Sequence, residues 1–226
     1  MNPVPAPSTA RGRASLPFAK SLGFTLVEMM VSLSIFAIIT GIVLIRNNDF
    51  NSGILFSNLV YEIALSIREM QTYGISVKAS DTGTFGNGYG VYFNKISDTG
   101  TNTYSFTQFI DIKPNNTQAP DGKYVAPTDE KISKFKLKPG NTIAGLYVND
   151  TTSVTDLSIT YVRPEPNAII TANNDSGMVI STGITKAFII IKSPGTTDAV
   201  YKCIVVTSVG QISVQNSTNN GTSCTP

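Results

Sequence analysis

The feature that most constrains this sequence is a run of apolar residues from position 24 to position 45. Glu28 is the single ionisable side chain among its 22 residues. A helix of this length reaches about 33 Å at roughly 1.5 Å per residue, which is enough to cross the hydrocarbon core of a bilayer. The sequence therefore predicts one transmembrane helix at residues 24–45.

The residues that flank this run predict its orientation in the membrane and whether it is cleaved from the mature protein. Arg11, Arg13 and Lys20 precede the run, and no acidic residue occurs before Glu28. Because positively charged flanks stay on the cytoplasmic side of a membrane, we expect a cytoplasmic N-terminus and an exported C-terminal portion. Residues 44–48 contain no small-residue site of the kind that a signal peptidase cuts. The helix is therefore expected to stay on the mature protein.

The start of the run resembles the leader junction of type IV pilins and type II secretion pseudopilins. Residues 20–30 read KSLGFTLVEMM: a basic leader, Gly23, then Phe24, and Glu28 as the fifth residue after the junction. The resemblance implies that prepilin peptidase cuts between Gly23 and Phe24 on the cytoplasmic side and that Phe24 is N-methylated. It also implies that the apolar helix becomes the polymerisation element of a fibre.

The same resemblance implies a set of partners and locations. The partners are prepilin peptidase, other pilin or pseudopilin subunits, an inner-membrane assembly platform and membrane lipid. The precursor would be a single-pass protein of the inner membrane, and the processed subunit would then enter a pilus or pseudopilus fibre.

The negative charge of Glu28 is unfavourable in a membrane and needs a compensating interaction. A carboxylate in an apolar helix costs about 2.5 to 3.5 kcal/mol near the bilayer centre, and less near a helix end. After cleavage, Phe24 would carry a free amine four residues before Glu28, which a carboxylate can meet in its own chain or on a neighbouring subunit. The alternative is an idle carboxylate at the level of the headgroups. With the leader motif present, we expect Glu28 to act in assembly.

Residues 1–23 are predicted to be a cleaved leader. They are rich in Pro at their start and hold three of the 17 basic residues of the chain and none of its 15 acidic ones, so they cannot form a packed core. Removing them leaves 14 basic against 15 acidic residues. The basic isoelectric point of the whole chain is therefore no sign of nucleic-acid binding.

The composition excludes several kinds of catalytic and metal site. The sequence contains no His, which excludes Ser-His-Asp and Cys-His nucleophile systems and His-ligated zinc, and two Cys cannot form a cysteine-cluster metal site. We therefore expect no such metal site, and the resemblance to pilins implies a structural subunit with no enzymatic activity and no cofactor. Residues 98–102 and 173–177 contain oxygen ligands that suit Ca²⁺, although the same residue types are typical of turns.

Residues 46–74 are predicted to continue the helix as an amphipathic segment. The polar residues 46–52 indicate the exit from the membrane, and apolar side chains then recur at spacings of three and four. This apolar stripe consists of Phe56, Leu59, Val60, Ile63, Ile67 and Met70. Gly74, which follows Tyr73, is expected to end the helix in the left-handed conformation common at helix C-termini.

From residue 75 the apolar period changes to two, so residues 75–226 are predicted to form an antiparallel β domain. Strands are expected at residues 75–78, 90–94, 104–112, 131–138, 143–148, 157–162, 168–171, 187–192, 201–207 and 211–215. The predicted fold class is α+β, with a long N-terminal helix packed on a C-terminal antiparallel β domain. Cys203 and Cys224 are expected to form a disulfide, because the domain is exported and its C-terminal tail is too polar to anchor itself.

Two further parts of the sequence resemble a subfamily of these proteins. Residues 59–76 and the hairpin at residues 203–212 resemble H-type minor pseudopilins and FimT-like minor pilins. Some FimT-like proteins that bind DNA carry G-R-x-R near the C-terminus. The matching residues here are Gly210, Gln211, Ile212 and Ser213, so the resemblance lends no support to DNA binding through that motif. Three functions stay open: a minor subunit for assembly or initiation of a pilus or pseudopilus, a DNA-capturing receptor, and a major adhesive pilin.

Overall fold

The computed structural model describes residues 23–76, 78–80, 83, 85–97, 103–112, 120–194, 199–218 and 223–225. Within these residues, one α-helix is followed by eleven β-strands. The chain divides into two compact units, Met1–Asp49 and Phe50–Pro226. The second unit contains the sheet and the C-terminal part of the helix, so the predicted α+β class is confirmed.

The helix α1 spans Leu26–Ile75 and contains 50 residues. It is continuous through the polar residues 46–52, so the two predicted helical segments belong to one element. The six apolar side chains of the predicted stripe are all buried, with exposures between 0 and 7%. They form one hydrophobic core with side chains from the sheet. The period of 3.6 residues thus identified the buried face of the helix.

The strands form one antiparallel sheet in the order β11-β10-β9-β8-β4-β5-β1-β2-β3, with β6 paired to β5 and β7 paired to β6. Their bounds are β1 Gly88–Asn94, β2 Ser105–Asp111, β3 Glu130–Lys136, β4 Thr142–Val148, β5 Thr152–Tyr161, β6 Ala168–Asn174, β7 Val179–Ile180, β8 Lys186–Lys192, β9 Tyr201–Thr207, β10 Ile212–Thr218 and β11 Ser223–Thr225.

Nine of the ten predicted strands overlap observed strands, and the strand predicted at residues 75–78 is wrong. Ile75 is the last residue of α1, and residues 78–80 have no regular structure. The last turn of the helix packs on the sheet, since the ring of Tyr73 lies edge to face against that of Tyr89, with centroids 6.0 Å apart. The sequence pattern also missed β7 and β11, which have two and three residues and are too short for a period to show.

Gly74 has a different role from the predicted C-terminal stop. The helix runs one residue beyond it, and its φ lies outside the left-handed region. A Cβ atom at this position would lie 2.5 Å from the carbonyl oxygen of Tyr161 and 2.7 Å from its Cβ. The glycine therefore permits the close approach of α1 to β5.

Gln71 ties the turn between β9 and β10 to the helix. Its buried Nε2 donates to the carbonyl oxygens of Gly210, at 2.9 Å, and of Pro166, at 3.2 Å. Gly210 has a φ of +83°, and a Cβ there would overlap the carbonyl oxygen of Pro166. Only glycine satisfies both the backbone conformation and the contact.

The predicted disulfide is present between Cys203 on β9 and Cys224 on β11, with a Cα–Cα distance of 5.9 Å. Cys203 is fully buried in a second apolar cluster with Phe188, Ile190 and Val205. Closing a loop of 21 residues contributes about 3 kcal/mol in the chain-entropy account. The bridge thus fastens the short terminal strand to the sheet.

A buried carboxyl group holds the loop that follows β2. Asp111 is 1% exposed, and its Oδ2 accepts a hydrogen bond of 2.7 Å from the backbone N–H of Gly122. Burial raises the pKa of Asp111 to about 7, and the nearby Asp121 and Asp129 add to the increase. Burial also raises the pKa of Asp129, whose carboxylate accepts from the backbone N–H of Val125 and of Ile112.

We expect the protein to lose stability as the pH rises from about 4 towards 8, because folding favours protonated Asp111. The pKa of Asp111 is about 7 in the folded state and 3.8 in the reference state. Its contribution to the free energy of unfolding is therefore complete below pH 3.8 and is lost as the pH rises through 7. The loss amounts to at most about 4 kcal/mol at roughly 1.4 kcal/mol per pKa unit. Urea unfolding followed by circular dichroism at several pH values measures it.

Asp111→Asn should flatten this pH dependence and raise stability near pH 8, because the amide oxygen still accepts from Gly122. Asp150→Asn is the matched control, since Asp150 is exposed on a turn, and it should keep the pH dependence of the parent protein. An unchanged slope in Asp111→Asn would contradict this role for Asp111.

Candidate processing and assembly site

The helix α1 begins with a capping arrangement that involves a predicted site residue. Thr25 precedes the first helical residue, and its Oγ1 accepts a hydrogen bond of 3.2 Å from the backbone N–H of Glu28. The Thr25 carbonyl accepts from the backbone N–H of Met29, also at 3.2 Å. The pattern T-x-x-E at residues 25–28 is that of a capping box, a sequence signal that predicts a helix start at Thr25. Glu28 therefore lies in the first turn, where the helix dipole favours a negative charge.

The predicted cleavage site lies just before this cap. Residues 23–25 are non-helical and exposed, and Phe24 is 77% exposed. The φ of Gly23 is outside the left-handed region, and no heavy atom of the described residues lies within 4 Å of the position a Cβ would take. The fold of the described chain therefore gives no reason for a glycine at position 23.

The helix after the cap is apolar and exposed along its first part. Residues Leu26–Leu44 form a segment long and apolar enough to cross a membrane, and none of that segment is buried. The hydroxyl groups of Ser32 and Ser34 donate to the backbone carbonyls of Glu28 and Met30 four residues earlier. Both hydroxyl groups therefore have hydrogen-bond partners within the helix, as polar groups in an apolar environment require.

A family model for the prokaryotic N-terminal methylation motif matches residues 19–44. The chain carries the leader motif shared by type IV pilins and pseudopilins. This methylation motif includes Gly23, Phe24 and Glu28, together with the exposed apolar part of α1. It marks the chain as a pilin-like substrate of prepilin peptidase that assembles with other pilins. No curated protein and no solved structure matches the chain.

Two stretches of the sequence, residues 98–102 and 173–177, contain oxygen ligands that suit Ca²⁺. Residues 98–102 fall outside the described residues. Residues 173 and 174 end β6, and residues 175–177 lead from it towards β7. Asn174 Oδ1 accepts from the backbone N–H of Ser176 and of Met178, and Gly177 has a φ of +77°. These are the features of a turn. In the described part of the chain, no group of three or more His, Cys, Asp or Glu side chains is placed to hold a metal ion.

Proposed function

We propose that this protein is a minor pilin or pseudopilin, a non-enzymatic subunit of a type IV pilus or a type II secretion pseudopilus. Prepilin peptidase cuts it between Gly23 and Phe24, Phe24 is N-methylated, and Glu28 acts in assembly. The observation that carries this proposal is the methylation motif at residues 19–44, placed on an exposed apolar helix.

The structure of the junction supports cleavage at this bond. A peptidase needs an accessible, non-helical backbone, and residues 23–25 are both exposed and outside the helix. The absence of any described atom near the Cβ position of Gly23 implies that recognition by an enzyme, and not the fold, calls for the glycine.

The proposed topology places the N-terminus in the cytoplasm and the β domain outside the inner membrane. Arg11, Arg13 and Lys20 support this orientation by the distribution of positive charge. The disulfide supports it independently, because such bonds persist in oxidising compartments. In this proposal residues 1–23 are the leader, 24–45 the membrane and polymerisation helix, 46–74 its amphipathic continuation and 75–226 the exported domain.

The two alternative functions have distinct readouts. A DNA-capturing receptor would retain DNA in a salt-sensitive manner, since phosphate contacts release counterions. A major adhesive pilin would dominate the mass of fibres sheared from the cell surface, whereas a minor subunit would be rare in them.

Mass spectrometry of the membrane-extracted protein tests the proposed processing. We expect a mature N-terminus at N-methylated Phe24, and we expect Gly23→Leu to leave nearly all of the protein as precursor. Gly41→Ala is the control, because Gly41 lies in α1 beyond the junction and, as for Gly23, no described atom lies within 4 Å of its Cβ position. Retention of Met1, an N-terminus beyond residue 45, or normal processing of Gly23→Leu would contradict the proposal.

A further inference from the structure

A polar cleft with a volume of about 410 Å³ lies over β1, β2 and β3. Its lining residues Tyr92 and Thr107 alternate along their strands with Phe93 and Phe106, which belong to the core that α1 covers. The cleft therefore lies on the face of the sheet opposite the helix. Its volume is within the range of about 300 to 1,000 Å³ that is usual for small-ligand sites.

The sheet register aligns the floor of the cleft. Tyr92 lies opposite Thr107, and Thr107 lies opposite Lys134. Residues directly opposite one another on neighbouring strands share a face and lie about 5 Å apart. These side chains therefore form one row across three strands.

A β-bulge in β3 brings a second ammonium group to the same face. Lys131 and Lys134 are three residues apart, so a regular strand would direct them to opposite faces. The register shifts between Gln108 and Phe109, so that Lys131 pairs with Phe109 while Lys134 pairs with Thr107. Both lysines line the cleft, and both are exposed. Bulges often re-aim side chains at functional sites in this way.

Two tyrosines form a fixed aromatic wall. The ring of Tyr124 lies 5.0 Å from that of Tyr92, at an interplanar angle of 41°, and 5.1 Å from that of Phe109. The backbone N–H of Tyr124 donates to Ser158 Oγ, and Asn94 Nδ2 donates to the Tyr92 hydroxyl. The wall is therefore held in place by contacts within the protein before any ligand binds.

Apart from the exposed apolar side chain of Ile96, the remaining lining groups are small and polar. Asn94, Ser97, Ser105 and Thr107 contribute amide and hydroxyl groups, and none of the described residues that line the cleft carries a carboxylate. The described lining therefore carries two ammonium groups, is aromatic on one side and is rich in groups that exchange hydrogen bonds with hydroxyls. The carboxylate of Asp156 lies near this aromatic side, where its charge adds to burial in raising the pKa of Tyr92, and it accepts from Asn173 Nδ2.

We propose that this cleft binds a short acidic oligosaccharide. The apolar faces of its sugar rings pack on Tyr92 and Tyr124, its hydroxyls bond to the amide and hydroxyl side chains, and its carboxylates lie against Lys131 and Lys134. Charge-assisted contacts to carboxylates are stronger than neutral ones, so the lysines select acidic over neutral sugars.

A saccharide fits these features better than a nucleic acid. Beyond residue 23 the chain has 14 basic and 15 acidic residues, so it lacks the basic excess that draws nucleic acids to proteins. The two tyrosine rings are tilted against each other and do not provide parallel platforms for successive bases.

Isothermal titration calorimetry on the mature full-length protein in detergent micelles tests the cleft with tri-galacturonate as the probe. We expect saturable binding that weakens at high salt. Binding of the methyl-esterified trisaccharide should be weaker by about tenfold, since esterification replaces each charged carboxylate by a neutral methyl ester and leaves the sugar rings and hydroxyls unchanged. A disaccharide containing muramic acid is a second probe. Preference for it would assign the source to cell-wall peptidoglycan, and preference for tri-galacturonate would assign it to an acidic surface polysaccharide.

Lys131→Gln combined with Lys134→Gln should weaken binding of the acidic trisaccharide by about tenfold without affecting folding, because both side chains are exposed. Lys186→Gln is the matched control, since Lys186 is exposed on β8 and does not line the cleft. The proposal is overturned by equal binding of the ester, by unchanged binding in the double variant, by no saturable binding of either acidic sugar, or by tighter binding of a single-stranded oligonucleotide.

Discussion

Glu28→Val should be inserted, cut and N-methylated like the parent protein but should enter fibres at a level reduced by an order of magnitude or more. Removing the carboxylate relieves the cost of a charge in the membrane, which is about 2.5 to 3.5 kcal/mol at the bilayer centre, so anchoring does not suffer. What is lost is the partner for a Phe24 ammonium, on which recruitment to a growing fibre depends in the proposed function. Cysteine cross-linking between subunits in cells that make the processed variants measures this loss.

The first turn of α1 should stay helical in Glu28→Val. Thr25 Oγ1 caps the backbone N–H of Glu28, and that bond does not involve the glutamate side chain. The lost interaction of the carboxylate with the helix dipole is only about 0.3 to 1 kcal/mol. A failure to assemble would therefore report the missing charge and not an unfolded first turn.

Two further variants sharpen the test. Glu28→Gln keeps the shape and the hydrogen bonding of the side chain and should give an intermediate level of assembly. Glu62→Val removes a carboxylate from the exposed face of the same helix, outside the apolar run, and should assemble normally. If Glu28→Val cross-links and forms fibres as the parent does, charge pairing does not recruit this subunit.

Gly74→Ala should lower the free energy of unfolding by about 2 kcal/mol, although alanine is the better helix former. Helix propensity favours alanine over glycine by at most about 1 kcal/mol. Against this, the new Cβ would lie 2.5 Å from the backbone carbonyl oxygen of Tyr161, and a backbone atom in a central strand cannot move aside cheaply. Overpacking of this kind costs about 1 to 3 kcal/mol or more. The steric cost therefore exceeds the gain in helix propensity, and the variant is less stable than the parent protein.

Gly53→Ala is the matched control for this prediction. Gly53 lies in the same helix, and no described atom lies within 4 Å of its Cβ position. This variant should gain up to about 1 kcal/mol from helix propensity alone. Urea unfolding of both variants, followed by circular dichroism in the same detergent, measures the two changes. A stabilised Gly74→Ala would show that α1 does not require close contact with β5.

The sequence by itself determined the features that depend on neighbouring residues. The apolar run, the junction at Gly23 and Phe24, and the stripe from Phe56 to Met70 are visible because helices repeat every 3.6 residues and membranes have a fixed thickness. Most strands were predicted for the same reason, since their period of two is local. The disulfide followed from the presence of two cysteines in a domain expected to be exported.

Only the tertiary structure decided the features that depend on residues far apart in the chain. The strand order is one example, because β4 pairs with β8 and β5 pairs with β1, β4 and β6. Gly74 is another: its local signal predicts a helix end, but the contact with Tyr161 across 87 positions gives it a packing role.

The polar cleft shows the same limit at a possible functional site. Alternation places Lys131 and Lys134 on opposite faces of a strand, and only the shifted pairing of β3 with β2 brings them together. Register is set by long-range pairing and by the burial of one face of a sheet, neither of which a local pattern contains. The membrane helix and its processing signal could therefore be predicted from the sequence, whereas the arrangement of the cleft required the folded sheet.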